Sequence, residues 1–277
     1  MKDTHHEPVV VHFQGVEFPD IVRARWALCF EDLRMSWSYR PRRFELSDGE
    51  YEPDFWLNEH KIWFQVGDVL HDADHLRWRR FAARVAENMS PAASGSRVRD
   101  HLRATGWPLV TEAALFSVGG IPRTPAEATG GPRPRPTLGA AMYSADGSRC
   151  RWVSCFACGW IGAEPYARDG AEPRHAHDVR ADAPRLLAAY RLARQANPAM
   201  EINGNGCARC RAPLALGDLI AAGSKINNRR WYHAMCLLQS RRERYGERAL
   251  PVEPDPDTSR VQKSVPMHGR GRGTKAA

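Results

Sequence analysis

Long hydrophobic runs are missing from these 277 residues. No stretch approaches the roughly 18 consecutive apolar residues that span a bilayer. The opening Met1-Lys2-Asp3-Thr4-His5-His6 carries no apolar signal region. The expectation is a soluble, cytoplasmic protein with no membrane partner. No internal repeat is found. Cysteine is sparse: Cys29, Cys150, Cys155, Cys158, Cys207, Cys210 and Cys236 are the only seven. In a reducing compartment the two Cys-x-x-Cys pairs favour metal binding over disulfides. Cys29 stands alone in an apolar stretch and reads as a small core residue.

Acidic charge is scarce in the second half. Residues 1–125 hold 16 Lys/Arg against 18 Asp/Glu, whereas residues 126–277 hold 24 against 14. The formal net charge of +8 is therefore the balance of −2 and +10. Attraction to phosphate is expected mainly from the C-terminal half. The plain alternative is a basic, solvated surface.

Periodicity predicts a helix over 19–35, opened by Pro19-Asp20, with Ile21, Ala24, Trp26, Ala27, Phe30 and Leu33 inward. Trp37–Tyr39 and Arg43–Leu46 alternate as strands do, and Asp48-Gly49 reads as the turn of a hairpin. Strands are expected at Asp54–Leu57 and Lys61–Val66. A helix follows at Asp72–Asn88 with Leu76, Phe81, Ala82 and Val85 inward. Another helix is expected at Arg97–Thr105, then strands at Pro108–Val110 and Ala113–Val118. This order implies an α/β core with a mixed sheet. The domains expected are a core at 10–123, a Pro/Gly linker at 124–139 and a small Cys-containing unit at 140–180. A connecting helix at 182–196, a Cys/His unit at 203–246 and a disordered basic tail at 250–277 complete the chain.

Three pieces are then read together: Val22-Arg23-Ala24-Arg25-Trp26-Ala27, Trp37-Ser38-Tyr39-Arg40-Pro41 and Tyr51-Glu52-Pro53-Asp54-Phe55. In order and spacing they resemble a group of small PD-(D/E)XK nuclease-like proteins. The similarity runs over about 10–123, ending in Gly120-Ile121-Pro122. The resemblance implies a restriction-endonuclease-like sheet, with carboxylates that hold magnesium and a lysine that assists the attacking water. In that pattern Asp54 is the metal acid. The second acid falls at Gln65, the lysine at Gly67 and the helix glutamate at Arg23. Only Asp54 keeps its type. A displaced site from Asp20, Asp54 and Asp68 with Lys61 is the alternative, although Lys61 is four strand residues from Gln65, about 13 Å. Magnesium is implied only if such a site works, so enzymatic activity stays open.

Cys207-Ala208-Arg209-Cys210 and His233-Ala234-Met235-Cys236 have the composition of a closed Cys3His structural zinc site. With Pro213-Leu214, Gly217-Asp218 and Trp231-Tyr232 they resemble a treble-clef finger of the LIM or poly(ADP-ribose) polymerase type. Cys155 and Cys158 form a second knuckle, for which His175 and His177 are the nearest candidate partners. Residues 203–248 carry nine Lys/Arg against three acids. Arg229, Arg230, Trp231, Arg241, Arg242 and Arg244 combine guanidinium groups with an aromatic, as phosphate and base contacts require. A basic finger can equally meet an acidic protein. Two expectations follow: a zinc-containing DNA-binding protein on an inactive nuclease-like scaffold, or a working metal-dependent nuclease. A protein-interaction adaptor is the third.

Overall fold

Pro19 and Asp20 start the first helix as the sequence predicts, because the Asp20 carboxylate accepts from the backbone N–H of Arg23 at 2.9 Å and caps it. In this computed structural model the described residues are 10–67, 72–88, 113–123, 125, 140–144, 147–165, 179–199, 206–222 and 230–245. The first half contains β1 (Val11–Phe13), β2 (Val16–Phe18), α1 (Ile21–Asp32), β3 (Trp37–Tyr39), β4 (Phe44–Leu46), β5 (Gly49–Tyr51), β6 (Phe55–Leu57), β7 (Ile62–Gly67), α2 (Asp72–Asn88) and β8 (Ala113–Val118). There follow β9 (Ala141–Ser144), β10 (Arg149–Cys155), β11 (Ile161–Pro165), β12 (Val179–Arg180), α3 (Pro184–Gln195), β13 (Asn197–Pro198), β14 (Leu219–Ala222), β15 (Trp231–His233) and α4 (Ala234–Tyr245). The expected helix at 97–105, the strand at 108–110 and the tail at 250–277 lie outside the described residues. So does the expected linker at 124–139, apart from residue 125.

The protein is mixed α/β, with four helices among the described residues. Its main sheet has eight strands in the order β11-β10-β9-β8-β7-β6-β3, with β12 beside β10. The β7–β8 pair is parallel and the other pairs are antiparallel. A parallel pair needs a crossover, and α2 lies in that connection. The pleat then divides β7. Phe64 and Val66 face α1, while Trp63 packs with Trp78, Phe81, Ala82 and Val85 of α2. Positions 78, 81, 82 and 85 form one helical stripe. Leu76 lies off it and is 50% exposed, contrary to the inward place expected for it.

The hairpin turn also sits one residue earlier than expected. Leu46 pairs with Gly49, so Ser47 and Asp48 make the bend. From α2, Arg77 and Arg84 donate to the Glu50 and Glu45 carbonyls, and Arg80 pairs with Asp48 at 2.6 Å. Phe44 meets Phe81 edge-to-face and Tyr51 packs on it at a tilt.

The larger departure concerns organisation. The unit expected at 140–180 contributes β9–β12 to the same sheet as β3 and β6–β8, because β9 adds antiparallel to the edge of β8. Residues 182–196 were expected to connect; instead α3 packs Leu186, Ala189, Tyr190 and Ala193 into the core with α1. Leu219, Ala221, Ala234 and Leu238 from the Cys/His unit join that cluster. Helix α1 is thus enclosed on more than one side, and Leu28 and Cys29 are as buried as Trp26 and Phe30.

A Leu238→Ala substitution is expected to cost about 2–5 kcal/mol, as for other enclosed leucines. Urea unfolding should show one lowered midpoint. A separate early transition with the main midpoint unmoved would contradict a shared core.

Candidate functional site: a filled carboxylate centre and a Cys3His cluster

Asp54 ends the turn into β6, where its side chain is 1% exposed beneath the N-terminus of α1. Antiparallel pairing of β6 with β7 sets Gln65 beside it. Oδ1 of Asp54 accepts from Arg23 Nε at 2.8 Å, and Oδ2 accepts from the Val66 N–H and from Gln65 Nε2, both at 2.9 Å. Arg23 also donates to Asp20 and, through Nη2, to the Val66 carbonyl at 3.0 Å. Gln65 is equally committed: its Oε1 accepts from the Asp54 N–H at 3.2 Å and from the Tyr51 hydroxyl at 3.0 Å.

Burial pushes the Asp54 carboxyl upward, against Arg23, the Val66 N–H and Arg40, which pull it down. The same ion pair raises the Arg23 guanidinium. These tendencies conflict, and the geometry decides between them. Three donors on two carboxylate oxygens, one of them a guanidinium, hold the ionised form.

Asp20 and Asp54 therefore converge, as a displaced metal site requires, but the cation they share is Arg23. A magnesium ion does not fit beside these carboxylates, because the guanidinium already holds them. The lysine position is closed too. A Cβ on Gly67 would lie 2.5 Å from the ring of Phe116, itself buried against Trp78. Lys61 stands exposed at the opposite end of β7, with φ +53° and Nζ 5.7 Å from the centre of the Trp56 ring. Asp68 lies outside the described residues. The arginine as internal cation was missed in the sequence, although its signal was there: a basic residue at the acid's place, one helical turn after Asp20.

The second centre is built by a knuckle, a hairpin and a helix start. Gly206 enters the knuckle with φ +62°, where a Cβ would lie 2.8 Å from the Arg211 carbonyl. The Cys207 N–H donates to the Ala212 carbonyl at 2.8 Å and the Arg211 N–H to the Cys207 carbonyl at 2.9 Å. Pairing of β14 with β15 delivers His233, and α4 begins at once, carrying Cys236 in its first turn. The ligand atoms of Cys207, Cys210, His233 and Cys236 all lie within 4.8 Å of one another.

His233 Nδ1 is 3.4 Å from Cys210 Sγ and 4.0 Å from Cys236 Sγ. A tetrahedral ion with zinc-like bonds needs S···N edges of about 3.5 Å, so the spacing fits. The other ring nitrogen is 3.2 Å from the Pro213 carbonyl and 3.5 Å from Asp218. Such a partner fixes the tautomer that turns Nδ1 toward a metal. Burial acts to raise the Cys207 thiol, yet the N–H groups of Cys210, Arg209 and His233 bring it down to about 6. Cys236 is pushed up to about 12 by burial and by the Cys210 and Cys207 sulfurs. Three crowded sulfurs cannot all ionise without a cation among them. The group can hold a metal.

Cys155 is buried and Cys158 exposed on the turn from β10 to β11. His175 and His177, their expected partners, lie outside the described residues, as does Arg229. The remaining basic candidates divide. Arg242 donates to the Glu31 carbonyl at 2.5 Å, and Arg241 and Arg242 both face Asp32, so they serve the end of α1. Trp231 packs partly buried against Cys207, Leu214 and Ile220. Arg230 and Arg244 are exposed. Compared with protein-family models, curated proteins and solved structures, the chain matches none.

Replacing Arg23 by Met leaves Asp54 buried without its cation and is expected to cost about 3–5 kcal/mol. The added change Asp54→Leu should recover part of that loss, measured by chemical denaturation. Additive losses in the double variant would show that the two side chains are not one unit.

Proposed function

We propose that the protein binds nucleic acid without cleaving it, on a restriction-endonuclease-like scaffold whose ion position is taken by Arg23. One observation carries this reading: both carboxylate oxygens of Asp54 are engaged, by Arg23, Gln65 and the Val66 N–H. Hydrolysis of a phosphodiester on such a scaffold needs an ion and an oriented water, and neither carboxylate is free to hold the ion. The succession α1, β3, β6, β7, α2, β8, with a parallel β7–β8 pair, supports the scaffold. The alternative of a working magnesium enzyme loses support because Asp20, its proposed replacement ligand, is bound to the same arginine.

Zinc is the metal proposed for the Cys3His cluster, since thiolates and imidazole in a tetrahedral set suit it. Its role is structural. A knuckle, a β-hairpin and a helix bearing the last ligand support a treble-clef arrangement. Nucleic acid, with DNA favoured, is proposed as partner from the +10 balance of residues 126–277.

Purified protein incubated with plasmid and Mg²⁺ or Mn²⁺ should cleave no faster than its Asp54→Ala variant, and Asp54-dependent cleavage would end the non-catalytic reading. Metal analysis should return zinc, with Cys210→Ser lowering the content by about one ion per chain. A second ion would indicate that the Cys155–Cys158 pair is completed by His175 and His177. A content of zero would remove zinc from the proposal.

A further inference from the structure

We propose that the phosphate-binding surface is the turn Arg40-Pro41-Arg42 on the sheet side of the protein, beside the Arg23–Asp54 pair, and not the basic helix α4. This rests on the nucleic-acid reading above and names its site. The turn directly follows β3, an edge strand of the main sheet. Its backbone is fixed by the Arg40 N–H, which donates to the Asp54 carbonyl at 2.8 Å.

Two features mark this turn. The first is unused hydrogen-bonding capacity. A guanidinium carries five N–H donors, and among the described residues neither Arg40 nor Arg42 donates one of them. Arg40 Nη2 is 3.9 Å from Asp54 Oδ1, beyond a hydrogen bond, and its guanidinium lies 5.2 Å from the Tyr39 ring centre. The Arg42 guanidinium lies 4.9 Å from the Phe44 ring centre. Each is thus placed by an aromatic ring while its donor edge stays open to solvent. On α4, Arg242 instead donates to the Glu31 carbonyl at 2.5 Å, while Arg244 is exposed.

The second feature is backbone conformation. Arg40 has φ +44°, in the left-handed region that glycine adopts freely and a branched or long side chain enters at a cost. A strained arginine with an open donor edge suggests a ligand-facing role. The nearby acids also have other cations: Asp54 is bound by Arg23 at 2.8 Å and lies 3.9 Å from Arg40, and Glu50 and Glu52 lie 3.5 and 3.4 Å from Arg43. Pro41 fixes its own φ at about −65° and so limits the freedom of the turn. The ligand class is the phosphodiester backbone of DNA or RNA, held through direct guanidinium–phosphate contacts where a nuclease would place an ion between them.

The test is fluorescence anisotropy of labelled duplex DNA, single-stranded DNA and RNA, titrated with the full chain across a salt series. Arg40→Gly relieves the positive φ, so its thermal midpoint should equal or exceed that of the wild type. Arg40→Gly with Arg42→Ala should lower affinity about tenfold near 0.1 M salt and reduce the log–log salt slope by about 1.4–1.8, the value for two lost phosphate contacts. Arg230→Ala with Arg244→Ala removes two exposed cations from the Cys3His side and should cost less than about threefold. If instead that second pair abolishes binding while the Arg40/Arg42 pair binds with an unchanged slope, the site is overturned and the nucleic-acid reading survives. If the wild type binds none of the three probes, the nucleic-acid reading itself fails. Should the double variant melt early, Arg42→Ala alone decides, with a slope loss of about 0.7–0.9 expected and no loss contradicting the proposal.

Discussion

The ion pair between Arg23 and Asp54 fixes the relation between α1 and the sheet. Asp54 is almost fully enclosed, and a carboxylate in that position needs a cation or an equivalent set of donors. Arg23 supplies the cation from α1, Val66 and Gln65 supply donors from β7, and Asp20 completes the arginine while capping its helix. One cluster therefore sets the position of α1, the start of β6 and the end of β7. The aromatic packing of Trp26 and Phe30 on Phe64, and of Phe30 on Phe55, then fills the space that this geometry leaves.

Around α1 the rest of the chain closes. Its sheet-facing side meets β6 and β7, and the other sides meet β1, α3 and α4. The Cys3His cluster is consequently no appendage on a tether. Its hairpin and helix bury Leu219, Ala221, Ala234 and Leu238 in the main core, and the His12 N–H donates to the Gly217 carbonyl at 2.8 Å along β1. Metal binding there is coupled to the same core that Asp54 organises, because the elements holding the ligands also cover α1.

Much of this was readable from residue order alone, for physical reasons that differ between elements. The Asp20 cap, the helix from Ile21 and strands β6 to β8 follow from short-range chemistry and period. The grouping of Cys207, Cys210, His233 and Cys236 follows from spacing, since a knuckle and a helix start can close in few ways. Three features needed the fold. Local pattern does not show that Arg23 binds Asp54, or that Phe116 packs against Gly67. The placement of β9 beside β8 depends on pairing across residues 119–140, where no local pattern indicates a partner. Arg241 and Arg242 read as a basic surface because sequence spacing cannot show that the last turn of α1 lies opposite them.

The enclosure of α1 also has a temporal side. The helix is complete by residue 32, whereas its cover arrives with residues 184–195, 219–222 and 234–245. At ordinary synthesis rates of about 5–20 residues per second, roughly 10–40 s separate the two. During that interval Leu28, Cys29 and their neighbours lack that cover. The final packing, and the approach of Cys207, Cys210, His233 and Cys236 to one another, must wait for residues 234–245.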